Sequence, residues 1–157
     1  MRPARRFDAH CAAPDDIGAL VALMRDFYAE SQYPLDAEWA AKSFANLLAD
    51  RSLGGVWLVI ENDKPVGHIV LSLRYGMEHA GLIGYIDDLY VKPEARRCGA
   101  ATVALTALMT DCRARGVKSI VVEASDGNAA ALATYSKFGL KQLADGRVLL
   151  VTVLAQT

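Results

Sequence analysis

The stretch RRCGAA, residues 96–101, places one glycine and small neighbours between a strand-like run and a helix-like run. The first N–H groups of a helix have no partner inside it, and they carry the positive end of its dipole. A loop of small residues lets an anion approach that backbone, and Arg96 and Arg97 add positive charge. The loop therefore predicts a site for a phosphate or pyrophosphate. An ordinary strand-to-helix turn with exposed arginines is the alternative.

Two common phosphate-binding patterns do not fit this loop. The P-loop needs Lys followed by Ser or Thr after its last glycine, and the dinucleotide pattern needs three spaced glycines, whereas only Gly99 is present. The pattern thus predicts an anion site without naming the anion.

Four further side chains with useful chemistry lie on either side of the loop. Asp87 and Asp88 are on the preceding strand, and because adjacent strand residues face opposite sides, only one should point into a cleft. Asn128 precedes AAALA, where a helix N-cap explains it without any ligand. Tyr135 shares helical spacing with Phe138, so core packing is its alternative role. Weaker candidates are Glu30, Glu78 and His79.

Hydrophobic periodicity predicts the elements that position these residues. The predicted order is β-α-α-β-β-β-α-β-α-β-β, with an antiparallel meander that passes into one right-handed strand-helix-strand crossover. This is an α/β fold whose mixed, mostly antiparallel sheet carries helices on both faces. The predicted strands are 6–12, 54–61, 65–75, 82–91, 117–124 and two closing strands, LKQL and RVLLVTVL; the predicted helices begin near residues 17, 37, 99 and 128.

Composition limits the classes of function. A chain of 157 residues with 53% hydrophobic residues suits one domain, residues 1–157. The formal net charge of -1 does not favour nucleic acid as a partner. The three cysteines form no zinc pattern, which favours a reducing cytoplasm. No stretch approaches the roughly 20 apolar residues of a membrane span, and the basic start lacks a signal-peptide core.

Two segments together resemble the GNAT superfamily of N-acetyltransferases: IDDLYVKPEARRCGAA at 86–101 and NAAALATYSKFGL at 128–140. The family's loop motif, Arg/Gln-x-x-Gly-x-Gly/Ala, is matched by Arg96, Gly99 and Ala101. Its later motif, Asn before Tyr-x-x-x-Gly-Phe, is matched by Asn128, Tyr135, Gly139 and Leu140, with Leu in place of Phe. The resemblance covers nearly the whole chain and implies the GNAT fold.

The resemblance implies acetyl-CoA as cosubstrate, bound in a gap between the strands at 82–91 and 117–124, with no metal. Main-chain groups of Leu89 and Val91 would pair with the pantetheine arm, the N–H of Leu89 would also bond the thioester oxygen, and the Asn128 amide would add a contact. The pyrophosphate would be held by the loop residues Arg96, Arg97, Cys98, Gly99, Ala100, Ala101 and Thr102.

The resemblance also implies roles in catalysis. Tyr135 would give a proton to the departing CoA thiolate. An attacking amine must lose its proton, and Asp87 matches the strand acid of polyamine acetyltransferases. Asp88 would instead bond backbone or a basic side chain.

The acceptor is expected to be a small-molecule primary amine, because Tyr28, Glu30, Tyr33 and Tyr75 could pack against and attract a cation. Three alternatives stay open: a CoA-sensing protein without turnover, an acetyltransferase of protein N-termini or lysines, and an unrelated nucleotide-binding domain. A homodimer is expected because dimers are frequent among similar proteins.

Overall fold

The computed structural model describes residues 4–143 and 146–154 and shows an α/β fold built on one five-stranded sheet. The strands lie in the order β1-β2-β3-β4-β5; the first four are antiparallel, and β5 pairs parallel to β4. The strands are β1 (Asp8–Cys11), β2 (Gly54–Glu61), β3 (Lys64–Gly76), β4 (Gly81–Val91) and β5 (Ser119–Val122). The helices are α1 (Ile17–Glu30), α2 (Ala37–Ala49), α3 (Ala100–Ala114) and α4 (Ala129–Lys137).

Helices cover both faces of the sheet, as predicted. On one face α3 and α4 bury a cluster that includes Leu105, Leu108 and Tyr135 against β2, β3 and β4. On the other face α1 and α2 bury a second cluster, which includes Leu20 and Phe44. The sheet thus separates two apolar cores, and each side chain on β4 faces one core or the other.

Local sequence explains where the helices begin and end. Asp36 caps α2, because its carboxylate accepts the N–H groups of Glu38 and Trp39 at 2.9 and 3.0 Å. Gly116 follows α3 with a φ of 69°, the left-handed conformation that glycine adopts without strain. No helix in the described ranges has the length and apolar character to cross a bilayer.

The two predicted closing strands are not formed. In the described part of the C-terminal region, 140–143 and 146–154, no residue is in a strand, and β5 remains the edge of the sheet. The side chains from Val148 to Val151 are each at least 68% exposed. An apolar, β-branched run favours an extended strand, but a strand needs a hydrogen-bonded neighbour, and this run has none there.

A β-bulge interrupts β4 at Asp87. Val70 of β3 pairs with Asp88, whereas the next residue, Leu71, pairs with Ile86, so Asp87 is one extra residue opposite that step. Ile86 and Leu89 therefore both face the α3 side, and the two aspartates between them share the α1–α2 side. The prediction that only one aspartate can enter a cleft is wrong because of this bulge.

His68 is a fully buried histidine on β3 among apolar and aromatic groups. Its ring packs 6.3 Å from that of Phe44 and 6.2 Å from that of Tyr90, and neither ring nitrogen has a hydrogen-bond partner in the described structure. Burial lowers the pKa of His68 from 6.5 to about 4. The folded protein therefore keeps this ring neutral at pH values where the unfolded chain protonates it.

This burial predicts a loss of stability in mild acid. Between pH 6.5 and about 4 the unfolded chain binds a proton at His68 that the folded chain does not, so stability falls as pH falls. We expect the wild type to lose about 3 kcal/mol of unfolding free energy relative to His68→Leu across that window. Urea unfolding of both proteins between pH 7 and 4 measures the difference. Parallel pH curves would contradict the neutral, buried state.

Candidate functional site

The loop before α3 presents an open helix N-terminus. Gly99 is the N-cap, with a φ of 98°, and no side chain caps the helix there. Arg97 is also left-handed, with a φ of 60°. A Cβ built on Gly99 would meet nothing within 4 Å, so the space in front of the backbone is clear. The N–H groups of the first turn can therefore receive an anion.

Arg96 is turned away from that space and ties three elements together. Its Nε donates to the Val91 carbonyl at 2.8 Å, and its Nη2 lies 2.5 Å from a carboxylate oxygen of Glu30. Its guanidinium also stacks 5.6 Å from the ring centre of Tyr90. Arg96 and Glu30, predicted to contact ligands, are thus partners of each other here.

Arg5 holds the N-terminal segment against the same loop. Its guanidinium donates to the Glu61 carboxylate and to the Glu94 carbonyl, and it lies 3.7 Å from Sγ of Cys98. The N-terminal segment is therefore anchored at Arg5.

A gap opens between β4 and β5 beside Leu89. The two strands pair from Ile83 opposite Ser119 to Ile86 opposite Val122, and in the described residues the pairing goes no further, although β4 continues to Val91. The backbone of β4 past Ile86 therefore lacks a neighbour on that side, as predicted for a site where an extended ligand adds a strand. The Val91 carbonyl already accepts a hydrogen bond from Arg96.

Asn128 and Tyr135 both lie on α4, on the α3 side of the sheet. Oδ1 of Asn128 accepts the N–H of Ala131 at 3.1 Å, which is the predicted N-cap, and this leaves its amide NH₂ as a donor. Tyr135 is 8% exposed and packs in the α3–α4 core. Burial raises its pKa, and the charge of Asp88 raises it further, so the phenol stays protonated near that carboxylate.

A cavity of about 260 Å³ lies on the opposite side of β4, between α1, α2 and the sheet. Burial raises the pKa of Asp88 to about 6, with a further contribution from Asp87. Burial also raises the pKa of Asp87, which the Ser72 hydroxyl partly offsets. The cavity is lined by Met24, Ser43, Phe44, Leu47, Val70, Asp87 and Asp88.

The predicted acceptor-binding tyrosines divide between the two faces. Tyr28 is half-buried and packs against the α1–α2 core, and burial and the charge of Asp88 raise its pKa. Tyr33 is 67% exposed, and its ring centre lies 6.3 Å from that of Tyr28. Strand alternation puts Tyr75 on the face of Leu71 and Leu73, away from the cavity, where it is 62% exposed.

Some residues of the site could not be found from the chain alone. The hydroxyl of Tyr85 on β4 donates to the carboxylate of Glu123, just past β5, so this pair spans the two strands that diverge. Burial, Glu123 and Asp87 raise the pKa of Tyr85 to about 12. In the sequence, the one feature that could have pointed to Tyr85 and Glu123 was their polarity beside otherwise apolar strands.

In the described residues no cluster of His, Cys, Asp and Glu could hold a metal ion, and the three cysteines are free thiols.

Comparison with known proteins identifies the family of the chain. The sequence pattern of the acetyltransferase (GNAT) family matches residues 19–140. An integron cassette protein from the mobile metagenome of Cole Harbour Salt Marsh is 35% identical, covering 96% of this chain and 92% of its own, with a TM-score of 0.85. No curated protein gives a significant match.

Two more distant structures share the fold. A predicted acetyltransferase from Clostridium acetobutylicum, solved with acetyl-CoA, is 22% identical over 92% of this chain and 96% of its own, with a TM-score of 0.75. An aminoglycoside acetyltransferase from an uncultured soil metagenomic sample, in complex with sisomicin, is 20% identical over 95% and 97%, with a TM-score of 0.74. At these identities the likeness shows the fold alone.

Proposed function

Because the chain belongs to the acetyltransferase (GNAT) family, we propose that it transfers an acetyl group from acetyl-CoA directly to a primary amine of a small molecule. One observation carries the proposal. An open helix N-terminus and Tyr135 lie on one side of β4, two carboxylates line a cavity on the other, and β4 loses its β5 neighbour between them. A donor and an acceptor can thus meet at one strand from opposite faces.

The loop and the strand would hold the donor. The first-turn N–H groups from Ala100 to Thr102 take the pyrophosphate, and the free backbone edge at Leu89 takes the pantetheine. The Leu89 N–H then bonds the thioester oxygen, and this bond strengthens as the oxyanion forms, which lowers the barrier. Arg97 and Cys98 contribute backbone and charge, while Arg96 keeps the loop in place through Val91.

The two carboxylates would supply the base. A primary ammonium has a pKa of about 10 and must lose a proton before it attacks. Asp87, the predicted base, and Asp88 both line the cavity, and burial together with the charge of Asp87 raises the pKa of Asp88 to about 6. Either carboxylate of this pair can therefore take the proton. After attack, the intermediate expels the CoA thiolate, and the protonated phenol of Tyr135 donates its proton to that sulfur. The attacking nitrogen loses its second proton as the amide forms, and that proton restores the phenol.

The test is turnover with a panel of primary amines, with release of free CoA thiol as the readout and N-acetylated product identified by mass. Thiol release that depends on the amine supports the proposal. Thermal stabilisation by CoA with no thiol release would show a CoA-binding protein without turnover. Acetylation of peptides alone would show a protein acetyltransferase, and stabilisation by ATP or NAD but not CoA would refute the assignment.

Asn128 offers a matched pair of variants, because its cap and its proposed ligand contact use different atoms. Asn128→Asp keeps the Oδ1 acceptor that caps α4 but loses the amide donor, while Asn128→Ala loses both. We expect both to raise the Kd of acetyl-CoA about three- to tenfold, the range for one hydrogen bond, and only Ala to lower the melting temperature. Calorimetric titration and thermal melts measure the two effects. If Asn128→Asp leaves the Kd of acetyl-CoA unchanged, Asn128 caps α4 and makes no contact with the cosubstrate.

Two broader expectations belong with this proposal. The exposed apolar run from Val148 to Leu154 supports a homodimer, because large exposed apolar patches usually mark contact surfaces. The three free thiols favour a reducing cytoplasm, and residues 1–157 are taken as one domain. Sedimentation at several concentrations measures the oligomeric state.

A further inference from the structure

The cavity beside Asp87 and Asp88 is mostly apolar. Met24 of α1 and Phe44 and Leu47 of α2 form its wall, and the two carboxylates lie on the strand opposite them. Among the described lining residues, the only other polar side chain is Ser43. The cavity thus pairs one anionic end with a wall that offers almost no hydrogen bonds.

The cavity is also small. Its volume of about 260 Å³ lies just below the range of about 300–1,000 Å³ that is usual for pockets of drug-sized ligands. An alkylammonium chain or a phenylethylamine is smaller than such a ligand, whereas an aminoglycoside is not. A bulky acceptor could place only one arm inside.

The apolar wall of the cavity also favours some classes of amine over others. A hydroxylated amino sugar would lose its bonds to water against Met24, Phe44 and Leu47 without replacement, at a cost in affinity for each unpaired hydroxyl. An aliphatic or aromatic group gains from the same contact. The ammonium meets the Asp87–Asp88 pair, and the half-buried ring of Tyr28 lies close enough to Asp88 to feel its charge.

We infer that the acceptor is a primary amine carried on a single aliphatic chain or aromatic ring, bound with its nitrogen at Asp87 and Asp88 and its apolar part against α1 and α2. This inference rests on the proposed function and narrows its substrate class. It separates the chain from the aminoglycoside acetyltransferase described above, with which it shares the fold at 20% identity.

A homologous series of amines tests the inference. For n-alkylamines from ethyl to hexyl we expect kcat/KM to rise about fourfold per added methylene, the factor that corresponds to about 0.8 kcal/mol per buried CH₂. Phenylethylamine should match the longer chains, and glucosamine should fall below ethylamine. A flat series, or a preference for glucosamine, would overturn the inference.

A cavity-filling variant tests whether the dependence of kcat/KM on amine length arises in this cavity. Leu47→Phe should lower kcat/KM for hexylamine and phenylethylamine at least tenfold more than it lowers kcat/KM for ethylamine, because the added ring takes the space of the longer chains. Leu48→Phe is the matched control: Leu48 is the neighbouring half-buried leucine of α2 and does not line the cavity. Equal effects of the two variants, with melting temperatures preserved, would contradict the placement.

Failure of the narrower inference can be told from failure of the proposed function. If no amine is acetylated, calorimetric titration of hexylamine into the protein with CoA present still measures whether the cavity binds the amine. Binding that strengthens with chain length and is lost in Leu47→Phe would support the apolar amine site without turnover. If hexylamine shows no binding, the cavity does not receive such amines.

Discussion

Tyr135→Phe is expected to lower kcat about 100-fold while the Kd of acetyl-CoA stays within about twofold. The variant keeps the ring that fills the α3–α4 core and removes only the hydroxyl. In the proposed mechanism this hydroxyl donates its proton at the step where the thiolate leaves, so the loss belongs in kcat rather than in binding. Steady-state kinetics with hexylamine and calorimetry with acetyl-CoA separate the two quantities.

The same variant also tests the packing alternative. If Tyr135 serves only the core, Tyr135→Phe will leave kcat unchanged, and any effect will be on the melting temperature. If the variant instead loses acetyl-CoA affinity in proportion to activity, the hydroxyl serves binding. Burial is the main cause of the raised pKa of the phenol and the charge of Asp88 adds to it, so Asp88→Asn should lower that pKa only in part.

The second large effect is expected at the α3 loop. Gly99→Asp should weaken acetyl-CoA binding about 30-fold, because a carboxylate at the N-cap occupies the helix N–H groups and repels the pyrophosphate. Two unit charges 4 Å apart at an effective dielectric of 20 interact by about 4 kcal/mol, and screening at this exposed loop leaves roughly half. Calorimetric titration of acetyl-CoA measures the change.

Two matched variants separate charge, strain and position. Gly99→Asn has the shape of Asp without its charge, so it should lose only a fewfold in affinity. Gly116→Asp places the same residue at the other end of α3, at a glycine that is also left-handed and also clear of neighbours. This variant should leave the Kd of acetyl-CoA unchanged. If Gly99→Asp binds as tightly as Gly116→Asp, the loop does not hold the cosubstrate.

Most of the fold could be predicted because local signals and hydrophobic period agreed. The range of α2 and its Asp36 cap follow from a side chain that bonds the backbone two and three residues on, which is a local property. The closing strands could not be predicted in the same way. The apolar run near Leu150 has the composition of a strand, but pairing depends on whether a distant edge reaches it, and β5 does not.

The parts of the site that depend on neighbouring residues in the chain could be predicted. The parts that depend on how strands pair could not. The loop around Gly99 and the cap at Asn128 are read from neighbouring residues and lie where predicted. The shared face of Asp87 and Asp88 depends on one unpaired residue opposite Val70, which only the partner strand reveals. The pairing of Arg96 with Glu30, 66 residues apart, likewise requires the tertiary structure.

The tie made by Arg96 has a thermodynamic consequence for ligand binding. Arg96 holds the carbonyl of Val91, at the edge proposed for the pantetheine, and the last residue of α1, the helix that walls the acceptor cavity. A ligand that orders either the Val91 edge or the end of α1 would change the entropy cost of ordering the other, because Arg96 bonds both. If acetyl-CoA and the amine bind at the proposed places, linkage requires that each changes the affinity of the other by the same factor.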